Sequence, residues 1–391
     1  MHTLLKPSVA VFSIFLGLAA LDTSLTPHQT TPSAPGPVVH KTTPKIQAAI
    51  LLDVSNSMDG LIEQAKAQLW NMVTVMGKAK CDEAVPQIEI ALYEYGRDSN
   101  PIKDGYVKQV SAFTADLDKL SQDLFKLTTN GGQEYCGEVI YTSLNDLKWD
   151  TSSASYKVIF ISGNEDFLQG GITYTKACEE ARKKGVIVNT IYCGDKMQGI
   201  REHWNLGGEC GSGSFTNIDP NAALDDIVTP YDSTLYVLNY KLNSTYIGYG
   251  VAGASNVARQ AEMDQSNYKL NKAAMAKRAA VKGNKYLYNN SSWDLLDAVA
   301  ADSSFVAKVD LKTLPDSLKN KSRAELQQIV AAKNNERNLV QKQIGEISIK
   351  REAYIAAERA KAAGNNNTAT LETQVEKIIK EQAKRFNMII Q

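Results

Sequence analysis

Asp53, Ser55 and Ser57 stand at alternate positions in the run Asp53-Val54-Ser55-Asn56-Ser57-Met58. On an extended backbone that spacing turns three oxygens to one side. The carboxylate supplies charge and the hydroxyls supply neutral oxygens. A hard divalent cation takes such a shell, with water completing it; Mg²⁺ fits first, and Mn²⁺ or Ca²⁺ are the other candidates. The same residue types also cap helices and build polar turns, so the surrounding elements have to decide. Catalysis fits less well. A phosphotransferase with the first Asp as nucleophile needs a second Asp two residues on, and Ser55 stands there. A dinucleotide site would want G-x-G-x-x-G after the first strand. No G-x-S-x-G elbow or H-E-x-x-H pair occurs, and His2, His28, His40 and His203 are scattered. The chain reads as a non-enzyme, with a Mg²⁺-dependent hydrolase the least favoured alternative.

The elements that would position these oxygens alternate. Ile46 to Val54 is a near-continuous apolar run, as in a strand buried on both faces. A helix follows from about Leu61 to Met76, then strands at Gln87–Tyr95 and Tyr106–Ser111 and a helix at Asp116–Lys126. Gly137–Leu147 reads as helix, Tyr156–Ser162 as strand, Thr173–Lys184 as helix and Val186–Cys193 as strand. A short strand at Phe215–Ile218 and a helix from Pro220 close the series. This alternation predicts a doubly wound α/β fold with a mostly parallel sheet. Ligands of such sheets bind at the carboxyl ends of the strands, near the switch in strand order.

A D-x-S-x-S run after a buried first strand resembles the metal-ion-dependent adhesion site of the von Willebrand factor A family, over about Ile46 to Tyr236. The resemblance implies a six-stranded sheet with a cation on its top face, and an open coordination position commonly filled by a partner's acidic group. Asp53, Ser55 and Ser57 carry over directly. The family's Thr before the third long helix falls near Gln133 or Glu134, in the loop from Thr128 to Gly137. The family's Asp after the fourth core strand falls on Gly163, in Ile161-Ser162-Gly163-Asn164-Glu165-Asp166, so Glu165 or Asp166 would have to reach inward instead. With Asp53, Glu134 and Glu165 all ligating, three carboxylates would surround one dication and weaken its hold on a partner's acid. These loops and the turn Tyr192-Cys193-Gly194-Asp195 look similar to exported bacterial members.

The flanks differ in composition. Residues 1–20 carry Lys6, an apolar run from Val9 to Ala20 and small residues Gly17 and Ala19, the pattern of a signal peptide. Residues 21–45 form a Pro/Ser/Thr-rich linker. Export to the periplasm or the extracellular space is expected, without a transmembrane anchor. Five cysteines leave at least one thiol over, and Cys193–Cys210 is the first candidate disulfide. After the A-type domain at 46–240, a mixed helical connector spans 241–320, with a helix at Ala273–Val281 and another begun by Trp293–Ala298 and capped by Ser291 or Ser292. Residues 321–391 read as an antiparallel helical hairpin with a coiled-coil-like seam: helices from about Arg323 to Ala363 and Thr370 to Ile390, joined by the polar turn 364–368.

Charge excludes one class of partner. The chain has 43 basic and 43 acidic residues, so it lacks the cationic footprint of a nucleic-acid binder. From Lys321 onward 13 basic face 8 acidic residues, which suits a solvated helix face or an acidic partner. The expected function is metal-dependent recognition of a protein or polymer ligand through an acidic group. The alternative is a scaffold subunit that associates, with itself or another protein, through its C-terminal helices.

Overall fold

The computed structural model describes residues 44–81, 84–218, 227–362 and 370–390. The signal segment, nearly all of the linker, the helix expected from Pro220 and the turn at 364–368 lie outside the described residues. Strand β1 (Lys45–Asp53) is buried along almost its whole length, and its side chains alternate between two cores. Ile46, Ala48, Ile50 and Leu52 enter one apolar cluster, Ala49 and Leu51 the other, as a period of two requires in a central strand.

Around it lie β2 (Ala79–Lys80), β3 (Gln87–Tyr95), β4 (Lys108–Thr114), β5 (Tyr156–Gly163), β6 (Ile187–Cys193) and β7 (Ser212–Ile218). The main sheet has the order β4-β3-β1-β5-β6-β7, with β4 its antiparallel edge. β1 pairs in parallel with β3 on one side and β5 on the other, so the strand order switches direction at β1. The expected six-stranded, doubly wound sheet is therefore present. β4 starts two residues later than the sequence suggests, because Gly105 and Tyr106 both take positive φ (66° and 57°) and make a turn.

Helices α1 (Asp59–Met76) and α2 (Leu117–Phe125) cover one face, and α3 (Cys136–Asp146) and α4 (Tyr174–Lys184) the other. Two short helices follow, α5 (Lys196–Arg201) and α6 (Trp204–Cys210). The disulfide joins Cys178 of α4 to Cys210 of α6, with Cα atoms 5.8 Å apart, which corrects the expected Cys193–Cys210 pair. The cause is strand alternation: Cys193 is a buried free thiol in the cluster on the opposite face of the sheet. Replacing Cys178 with Ser opens a loop of sequence separation 32 and is expected to cost about 3–4 kcal/mol by chain-entropy arithmetic. Denaturant midpoints of wild type and variant, both without reductant, check this.

The C-terminal half is α7 (Asp232–Asn243), α8 (Gly253–Leu270), α9 (Lys272–Lys282), α10 (Leu295–Ala301), α11 (Phe305–Lys308), α12 (Asp316–Lys319), α13 (Arg323–Ala362) and α14 (Leu371–Ala383). Asp294, not a serine, caps α10 by accepting from the Asp297 N–H. The hairpin expected over 321–391 does not form. Leu371, Val375, Ile378 and Ile379 of α14 are buried in the same cluster as β1 and α1. The apolar residues of α13 go elsewhere: Val340 and Ile344 to α7 and α9, Leu326 and Val330 to α10 and α11. Past α14 the chain turns at Asn387 (φ 55°), and β8 (Ile389–Ile390) pairs antiparallel with β2. Thr43–Gln391 is one compact unit, so the boundaries drawn at 240 and 320 divide a single packed body. No helix among the described residues is long and apolar enough to cross a membrane.

Candidate metal centre

Asp53 ends β1 at the switch point, fully buried. Its Oδ1 accepts the Ser55 backbone N–H at 2.7 Å, which folds the chain back over the strand end. Ser55 is extended (φ −64°, ψ 166°) before the helical turn Asn56–Met58. The spacing brings the two hydroxyls together: Ser55 Oγ and Ser57 Oγ are 3.3 Å apart. Ser55 is buried and Ser57 opens to solvent.

A second loop closes over this one. The Asn130 N–H donates to the Val54 carbonyl at 2.9 Å, and the Asp98 N–H to the Gly131 carbonyl at 2.6 Å. Two glycines allow the approach. A Cβ on Gly96, which has φ +80°, would lie 2.7 Å from Asp53 Oδ1, and one on Gly132 would lie 2.5 Å from the Gly96 carbonyl. The result is Glu134 buried at 1 % exposure beside Asp53, while Gln133 points out and accepts from the Tyr135 hydroxyl. Of the two alternatives at this position, Glu134 is the inward one.

Asp53 Oδ2 and both Glu134 carboxylate oxygens are buried without a hydrogen-bond partner. Asp53 and Glu134 shift each other's protonation, and Ser55 and the Glu165 backbone N–H lie close enough to affect it, but none completes a well-formed hydrogen bond to these three atoms. Burial, then the neighbouring Glu134 carboxylate, holds Asp53 well above the usual carboxylate range. Burial also raises Glu134, opposed by contacts to Asp53 and Ser55. Buried acceptors are nearly always satisfied in folded proteins. Two facing carboxylates reach that state with a shared proton or with a cation.

The third expected carboxylate, Glu165, adjoins Glu134: its charge adds to the rise of the Glu134 carboxyl and its backbone N–H opposes it. Glu165 is exposed, its Oε2 accepting from the Gln169 side-chain amide at 2.8 Å. Asp166 faces away, its Oδ1 3.0 Å from His203 Nδ1 and 2.9 Å from the Leu168 N–H. Glu165 thus lies at the rim of the cluster, its side chain turned to Gln169 and solvent. Nor could Gly163 bear a side chain: its Cβ would fall 2.6 Å from the Tyr95 hydroxyl and 3.1 Å from the Trp204 ring. The Tyr95 hydroxyl, donating to the Ser162 carbonyl at 2.9 Å, fills that space. Trp204 is a packing residue, fully buried against Phe167 and Tyr192. Sequence reasoning missed Asn164, whose Oδ1 accepts from Ser57 Oγ at 3.3 Å. It lies in the same turn as Glu165 and Asp166, and a neutral amide beside two acids carries no charge signal.

The oxygens brought together are those of Asp53, Ser55, Ser57 and Glu134, with Asn164 at the mouth. Among the described residues no three His, Cys, Asp or Glu side chains form a group that could by itself hold a metal ion. A cation here would therefore rely on hydroxyl, amide and water oxygens beside two carboxylates, a donor set of the hard-ion type.

No protein-family model matches the sequence, and no curated protein matches it. Solved structures do resemble part of it. Proximal thread matrix protein 1 from the mussel byssus shares 15% identity over 46% of this chain and 42% of its own, TM-score 0.34. The chain thus spans less than half of that protein. The VWA domain of SpRpn10 shares 15% over 46% of this chain and 91% of its own, TM-score 0.35. BatB from Bacteroides thetaiotaomicron shares 15% over 44% and 90%, TM-score 0.35.

Proposed function

We propose that Asp53, Ser55, Ser57 and Glu134 hold a divalent cation, Mg²⁺ before Mn²⁺ or Ca²⁺, and that the chain is a non-catalytic recognition protein using this ion to grip an acidic group on a protein or polymer partner. The observation that carries the reading is the trio of partnerless buried oxygens on Asp53 and Glu134. Two carboxylates balance a dication and no more, so the ion keeps affinity for an incoming carboxylate that a three-carboxylate shell would repel. Ser55 supports binding over catalysis, since its hydroxyl packs against Ser57 where a general acid would be needed. Asp98 lies exposed beside Asn56 and Gly131, and Glu165 is exposed near Asn164. This acidic rim favours a partner whose carboxylate has basic neighbours. The Cys178–Cys210 disulfide supports an exported protein in an oxidising compartment.

Water-proton relaxation of Mn²⁺ titrated into the full chain tests the reading. Bound Mn²⁺ should retain exchangeable water, and a short peptide with one Glu among Lys residues should displace it. Its Gln counterpart should not. Failure of Mn²⁺ to bind, or a bound ion without exchangeable water, would overturn it.

A further inference from the structure

Helix α13 is 40 residues long, about 60 Å at 1.5 Å per residue, and only one side of it is used. Its buried side chains, among them Leu326, Val330, Arg337, Val340, Ile344 and Arg351, repeat at three- and four-residue steps, and the apolar ones of this set face α7, α9, α10 and α11. The opposite side carries a second series at the same steps, including Ala332, Leu339, Lys342, Glu346, Ile349 and Ala356, all exposed. Leu339 is 59% and Ile349 72% exposed. An apolar pair around a charged pair, at the 3.5-residue spacing that keeps two helices in register, is the layout of a helix–helix seam.

The order of these residues names the occupant. Leu339 and Ile349, Lys342 and Glu346, and Ala332 and Ala356 are three pairs, each centred on position 344. Reversing the helix about that point lays apolar on apolar, cation on anion and small on small. Such self-complementarity is what a two-fold interface demands, where residue i meets j and j meets i. Neither Lys342 nor Glu346 has an ion-pair partner within the described residues, although neighbours such as Lys333 and Glu336 do. Gly345, exposed and flanking this face, is the other sign. A Cβ there would meet nothing within 4 Å in this chain, so nothing inside the molecule requires a mid-helix glycine, which costs up to about 1 kcal/mol against Ala. A backbone approaching from outside does give it a reason.

We propose that the outer face of α13 pairs antiparallel with the same face of a second copy of this chain, Lys342 of each copy meeting the partner's Glu346 and Leu339 meeting the partner's Ile349. The pairing is independent of the cation site.

Sedimentation velocity on the full chain, with EDTA present, tests it. Wild type should show a concentration-dependent dimer. Lys342→Glu and Glu346→Lys each place like charges at two symmetric contacts and should raise the dissociation constant at least about 10-fold. Mixing these two variants should restore a dimer, because each supplies the charge the other lacks, and the double reversal in one chain should dimerise like wild type. Leu339→Asp should be monomeric with an unchanged melting temperature, since the side chain is exposed. A wild type that stays monomeric, a mixture that does not recover, or a dimer untouched by Leu339→Asp would each overturn the proposal.

Discussion

Glu134→Gln is expected to lower Mn²⁺ affinity by at least about 100-fold, since losing an outer partner of a metal ligand alone costs 10–100-fold and Glu134 would be a charged ligand itself. The substitution keeps the shape and one oxygen but removes half of the negative charge facing the ion. Calorimetric or spin-resonance titration measures it, and unchanged affinity would remove the cation from this site. A pH series separates the ion from its rival, a proton shared by the two carboxyls. Burial raises both groups, so without a cation the folded chain holds protons that the unfolded chain has already released. Stability should then fall as pH rises from the ordinary carboxylate range through the raised values. Saturating Mg²⁺ displaces those protons and should abolish that fall, because ligands must be deprotonated to bind. In Glu134→Gln the lone Asp53 carboxyl remains, and Mg²⁺ should leave the profile unchanged.

Much of this cluster is legible in the sequence, and the reason is local. Asp53, Ser55 and Ser57 lie within five residues of the end of a strand whose apolar run marks it as central. Two-residue spacing then does the rest. Glu134 was reachable only through the resemblance, whose loop position falls near Gln133 or Glu134. The outward turn of the Glu165 side chain has a cause that no local pattern carries. Whether a turn residue points inward depends on what already fills the space, and here the Tyr95 hydroxyl and the Trp204 ring occupy it from 68 and 41 positions away from Gly163 in the sequence. The helical half misled in the same way. A stripe such as Leu371, Val375, Ile378 and Ile379 announces that a face is buried, not against what. Its partner was β1 and α1, about 300 residues earlier, rather than the adjacent helix.

Arg278→Met should cost about 3–5 kcal/mol, the range for stripping one member from a buried charge cluster. Arg278 is fully buried on α9 and reaches three other helices. Its Nη1 donates to Asp118 Oδ1 of α2 at 2.6 Å, its Nε to Asp264 Oδ1 of α8 at 2.6 Å, and the guanidinium lies 4.8 Å from the Trp70 ring of α1. Attraction to Asp118 and Asp264 overrides a large burial penalty and raises its pKa. Methionine fills much of the volume but leaves Asp118 with the Tyr288 hydroxyl alone, while Asp264 keeps Lys282, Asn239 and Asn243. Adding Asp118→Asn should therefore recover part of the loss, and the recovered share in a double-mutant cycle measures the pair. A cost below about 1 kcal/mol would mean that water reaches the cluster. The consequence reaches past one arginine. This cluster fastens α8 and α9 to the helices that cover the sheet, and α14 completes the same core, so the helical half is part of the fold that holds the Asp53 and Glu134 loops. A chain ending at Pro315 lacks α13 and α14 altogether and should show no cooperative unfolding transition, whereas an arm merely tethered to an A-type domain could be cut away with the transition intact.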